Sequence, residues 1–214
     1  MNRRLGLKTA LAAAFSAAAL PALAHPHVWV TAKADVVFVD GKATGIRHSW
    51  AFDEGYSAYV TQGLDKNNDG KLTPDELQDL AKENTESLVD FDYFTVMKAN
   101  GKKQAFDAPQ NPGMAFEDGK VVLSFFLPLK SPIPGGGAVS VDINDPSFFV
   151  FFELAKANDA IKMVGAPQGC SITVTRAKGL DMADQQALTE GMFSNSANAN
   201  FGAQYSNKAI LACP

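Results

Sequence analysis

His27-Val28-Trp29-Val30-Thr31-Ala32-Lys33-Ala34-Asp35-Val36-Val37-Phe38-Val39, followed directly by Asp40-Gly41, is the stretch on which the fold turns. It is rich in β-branched and aromatic residues, and Asp-Gly supplies the two positive-φ positions of a tight hairpin. A returning strand is expected over residues 46–52. The same pattern recurs twice downstream. Residues 94–99 and 103–106 flank Asn100-Gly101, and residues 114–116 and 121–127 flank Asp118-Gly119. Further strands are expected over residues 138–143 and 147–154, then Ile161–Val164, Ser171–Thr175 and residues 209–213. Residues 132–137 form a Pro/Gly loop, and Asn144-Asp145-Pro146 a turn. Helices are expected at residues 54–64, 74–89 and 181–192, and residues 194–207 read as an irregular loop. The fold class is therefore mainly β (α+β): antiparallel, sandwich-like sheets with a helix–loop–helix inserted at about residues 54–89.

The inserted segment carries the sharpest chemical signal. Asp65-Lys66-Asn67-Asn68-Asp69-Gly70-Lys71-Leu72-Thr73-Pro74-Asp75-Glu76 fits the EF-hand calcium pattern D-x-[DN]-x-[DN]-G-x₅-E without a mismatch. Asp65, Asn67 and Asp69 offer hard oxygens on alternate residues, and Gly70 permits the sharp bend. Lys71 offers its carbonyl, Thr73 stands at the water or hydroxyl position, and Glu76 closes the site with two oxygens. Leu72 is apolar where such a loop packs on its helices. Thr73-Pro74-Asp75-Glu76 is also a capping box with proline at the first helical position. Sensor EF-hands work in pairs and a second loop is lacking. A structural Ca²⁺ of extracellular grade, with affinity on the order of 10⁻⁴ to 10⁻³ M, is expected.

Arg3, Arg4 and Lys8 precede an uncharged run from residue 9 to 23, and Ala22-Leu23-Ala24 has the small-x-small form read by signal peptidase. Residues 1–24 are expected to be a signal peptide and residues 25–214 a single β-rich domain, exported to the periplasm and soluble after cleavage. Cleavage would change the net charge from −4 to −7, leaving 16 basic against 23 acidic residues. Such a body argues against nucleic acid as a partner. Cys170 and Cys213 form an even pair in an oxidising compartment, and a disulfide tying the last strand to the body is expected.

The processed chain would begin at His25. Its amine and imidazole form a chelate suited to Cu²⁺, Ni²⁺, Co²⁺ or Zn²⁺, with His27 and His48 as further candidate ligands. Pro26 lacks an amide proton and so blocks the amide-based copper mode. His48 lies on the partner strand near Val36, so a joint site needs the chain end to fold back.

Taken together, His25-Pro26-His27-Val28-Trp29, the segment from Arg47 to Asp53, Asn144-Asp145-Pro146-Ser147-Phe148-Phe149 and Cys213 resemble a bacterial family described as the periplasmic component of an ABC-type transport system. Its members are commonly encoded beside nickel/cobalt-type efflux permeases. The resemblance implies a non-enzymatic, calcium-binding accessory of metal transport whose partner is an inner-membrane transporter or permease. The rival readings are a calcium-stabilised interaction module with no transported ligand, and a metalloenzyme using the terminal histidine. Neither G-x-S-x-G nor H-E-x-x-H occurs, which weighs against an enzyme.

Overall fold

The computed structural model describes residues 26–181, 183–184 and 205–214. The signal-peptide expectation, His25 and nearly all of the expected helix over residues 181–192 lie outside the described residues.

Strand β1 (Val28–Val39) alternates cleanly: Val28, Val30, Ala32, Ala34, Val36 and Phe38 are buried, while Trp29, Thr31 and Lys33 face outward. Asp40 (φ 49°) and Gly41 (φ 75°) then make the expected two-residue turn into β2 (Lys42–Phe52). The other hairpins follow the same chemistry. Asn100 (φ 48°) and Gly101 (φ 79°) join β3 (Thr95–Ala99) to β4 (Lys102–Lys103), and Asp118 (φ 49°) and Gly119 (φ 79°) join β5 (Gln110–Glu117) to β6 (Lys120–Pro134). The remaining strands are β7 (Gly137–Ile143), β8 (Val150–Leu154), β9 (Ile161–Val164), β10 (Ser171–Thr175) and β11 (Asn207–Cys213).

One sheet runs β5-β6-β2-β1-β8, with β9 also on the β1 edge, and the other runs β10-β11-β7-β3-β4. Two local expectations are corrected here. The first is sheet sense: β8 and β9 pair with β1 in parallel, so the first sheet is mixed rather than antiparallel. The chain leaves β7 in one sheet and enters β8 in the other through a turn organised by Asp145. Its carboxylate accepts from the amides of Ser147 (2.8 Å) and Val150 (3.0 Å), which also delays the strand from residue 147 to Val150. The second correction is β6, which runs on through Pro132 and Pro134 where a loop was expected. Between the pairs Ala43↔Ile133 and Gly45↔Pro128 it leaves β2, and the Lys130 amide bonds instead to Ala105 O (2.9 Å). Pro132 falls in the gap between these pairs, where a proline removes no ladder hydrogen bond. Gly45 is required at this break, since a Cβ there would lie 2.5 Å from Leu127 O.

Between the sheets lies one continuous core. Trp50 packs edge-on against Phe125 (4.9 Å) and Phe152 (5.1 Å), and Phe94 reaches Phe152 from the second sheet's side (5.3 Å). Asn207 ties the sheets together: its amide donates to Phe152 O (2.6 Å) and its Oδ1 accepts from the Ala177 amide (2.9 Å).

Helices α1 (Glu54–Val60) and α2 (Pro74–Ser87) pack at the β5–β6 edge. Leu77 and Ala81 are buried there, Gln78 donates to Pro112 O, and Ser57 Oγ accepts from the Val121 amide. α1 ends four residues before the expected position 64, as the chain turns through Gly63 at φ 76°. After α2 the chain tightens into a 3-10 segment, Leu88–Phe94. This segment ends with Asp92, Tyr93 and Phe94 all at positive φ (51°, 57° and 47°). Among the described residues no helix is long and apolar enough to cross a membrane.

Candidate metal site

The loop between α1 and α2 is organised by the side chains that the calcium pattern singles out. Asp65 accepts from the amides of Asp69 (3.2 Å) and Gly70 (2.9 Å). Asn67 Oδ1 accepts from Asp69 N–H (2.9 Å), and Asp69 Oδ1 accepts from Lys71 N–H (2.8 Å). Three oxygen-bearing side chains on alternate residues are thus folded back over the loop's own amides. That arrangement depends on Gly70, whose φ of 78° a residue with a Cβ adopts only under strain. Leu72 and Leu64 pack against the core and anchor the loop at two points.

Glu76 is held at the base of α2. Its Oε2 accepts from the Thr73 amide (2.9 Å) and hydroxyl (2.8 Å), completing the capping box, while Oε1 accepts from Lys66 N–H (3.0 Å) across the loop. The Thr73 amide first, then its hydroxyl, hold the Glu76 carboxyl below the usual carboxylate range. It therefore remains an anion that staples the first residues of the loop to the last. The donor set consists of hard oxygens and fits an oxygen-seeking cation such as Ca²⁺, with each carboxylate retaining lone pairs beyond its amide bonds. Even so, among the described residues no three His, Cys, Asp or Glu side chains converge closely enough to hold a metal ion. Glu76 stays at the helix cap, and the Thr73 hydroxyl is committed there too.

The histidines are not brought together. His48 lies opposite Ala34, two residues from the expected neighbour Val36, and its side chain points into the sandwich. It stacks on Phe125 (5.0 Å), lies 5.1 Å from Trp50, and its Nε2 meets Thr95 Oγ1 at 3.3 Å. Burial pushes its pKa down to about 3, so it is a neutral core residue. His27 is exposed at the outer surface, with its amide on Phe149 O (3.0 Å) and its ring 4.9 Å from that of Phe149. The sheet separates His27 from His48, so the two do not form a common ligand set.

Cys170 and Cys213 form a disulfide (2.05 Å). It extends the β10–β11 ladder by one step beyond Ser171↔Ala212 and locks the end of the last strand.

Two features had weak signals in the sequence. Asp53 caps α1 through the Tyr56 amide (2.9 Å) and also accepts from the Trp29 amide (2.9 Å), tying the helical insertion to the start of β1. An aspartate before a helix announces a cap, but nothing local announces the second bond. The run of positive φ at residues 92–94 begins at an aspartate, a weak turn signal, but continues through Tyr93 and Phe94, which carry none.

The chain belongs to the family described as "Protein of unknown function (DUF1007)", whose family model matches residues 10–213. It is also similar to an "Uncharacterized 15.5 kDa protein in trpE 3'region" of Spirochaeta aurantia. The two are 28% identical over 106 residues, a span covering 49% of this chain and 76% of that protein.

Proposed function

We propose that this family member is a non-enzymatic, calcium-binding periplasmic protein that serves as an accessory to a metal transporter. The observation that carries the calcium reading is the wrapping of Asp65, Asn67 and Asp69 around Gly70 at φ 78°. These residues, the Lys71 carbonyl and Glu76 would hold the ion, with Thr73 at the position where a water or hydroxyl is usual. The bound ion would supply two positive charges that offset Asp65, Asp69 and Glu76. Glu76 is the residue that must rearrange, because the Thr73 amide and hydroxyl hold its Oε2 at the cap of α2. Binding therefore competes with those hydrogen bonds, in keeping with an affinity suited to a calcium-rich compartment. The transport role is supported by the resemblance of the His25–Trp29, Arg47–Asp53 and Asn144–Phe149 segments.

The experiment is calorimetric titration of the mature chain with Ca²⁺. One site is expected, and Glu76→Gln should abolish it while preserving side-chain volume. Titration of Glu76→Gln indistinguishable from the parent would overturn the assignment. At a free calcium concentration of about 100 times Kd, binding should add about 2.7 kcal/mol to the unfolding free energy.

A further inference from the structure

We propose that the cleft between the left-handed turn at residues 92–94 and the segment at residues 103–106 binds a small organic anion with an aromatic body. The cleft has a volume of about 470 Å³, within the range of small-molecule sites. Its apolar wall is made by Val89, Tyr93 and Phe106, with the two rings edge-on at 6.1 Å and 80°. Its charged wall is made by Lys103 and Lys130. Lys103 is paired with Asp92 (2.9 Å), whereas Lys130 has no acidic partner among the described residues, so the cleft carries one uncompensated positive charge. In a chain of net charge −4, that is a local reversal of sign.

The backbone is a second, independent observation. Asp92, Tyr93 and Phe94 are three successive non-glycine residues in the left-handed region. Strain of this kind persists only where the surroundings over-determine it, and it concentrates at ligand clamps. Here it turns Tyr93 toward the cleft and Phe94 into the core beside Trp50 and Phe152. The Asp92–Lys103 ion pair holds the turn against β4. A regular strand entrance would alternate these two side chains without building an aromatic wall. Val89 in this wall is exposed (57%), so the apolar surface is open to solvent.

The test uses the full mature chain with naphthalenesulfonate as the anionic aromatic probe and naphthalenemethanol as its neutral counterpart, followed through backbone amide shifts by NMR. The expected result is saturable shifts confined to Val89, Tyr93, Thr95, residues 103–106 and Lys130. The alcohol should bind at least about tenfold more weakly, the scale of one lost charge-assisted hydrogen bond. Lys130→Gln should weaken the sulfonate by about the same factor. Tyr93→Gly should do so as well while keeping the fold, because glycine accepts a φ of 57° without penalty. Calcium and Glu76→Gln should leave the affinity unchanged, which separates this cleft from the calcium loop. The proposal is overturned by the absence of saturable shifts, or by shifts centred on the exposed Val39, Val164 or Ile210 instead. Equal affinity for the alcohol, or sulfonate binding indifferent to both substitutions, would overturn it too.

Discussion

His48 shows how position within a fold decides what a residue can do. On the sequence it is one of three histidines and a natural ligand candidate, yet it lies fully buried among Trp50, Phe125 and Thr95. Its pKa falls to about 3 in the folded state, below the ordinary value of 6.5. Below pH 6.5 the unfolded chain therefore takes up a proton that the folded chain refuses. Stability from this group is complete above about pH 6.5 and is lost progressively as the pH falls toward 3. One unit below 6.5 the expected loss is about 1.4 kcal/mol, read from urea midpoints across a pH series. His48→Phe should flatten that part of the profile. An unchanged slope in that variant would place the proton uptake elsewhere.

At the scale of elements, the helical insertion depends on a few polar contacts at its start. Asp53 satisfies the first turn of α1 and the Trp29 amide of β1 with its two carboxylate oxygens. Asp53→Ala removes both bonds, and a loss of about 1–2 kcal/mol in chemical unfolding is expected. Asp53→Asn retains one acceptor oxygen and should recover part of it. The hairpins, by contrast, are set by local chemistry. Asp40-Gly41, Asn100-Gly101 and Asp118-Gly119 all adopt the paired positive φ angles that their residue types favour. Tyr93 and Phe94, which follow Asp92 at positive φ, are the opposite case: the conformation is imposed on residues that resist it, at a cost on the order of 1–3 kcal/mol each.

At the scale of the whole molecule, the Cys170–Cys213 bridge fastens the last strand across 43 residues of sequence. In the loop-entropy picture this contributes about 3–4 kcal/mol. Replacing both cysteines by alanine should lower the unfolding midpoint accordingly. Calcium affinity should be retained, since the bridge joins β10 to β11 and the loop lies between α1 and α2. A parallel fall in calcium affinity would show that the sheets and the insertion are coupled.

Local pattern by itself was enough to determine the strand-rich character of the protein, its three tight hairpins, the capped start of α2 and the pairing of its two cysteines. Each depends on residues close together in the chain, or on the only thiols present. The hydrogen bonding within residues 65–76 is local as well, joining residues within eleven positions of one another. The tertiary structure alone decided the parallel placement of β8 and β9 beside β1, because alternation reports which face of a strand is buried and not which way its neighbour runs. It also decided the burial of His48, set by strands in both sheets, and the cleft at Tyr93 and Phe106, whose walls come from segments that only the folded chain brings together.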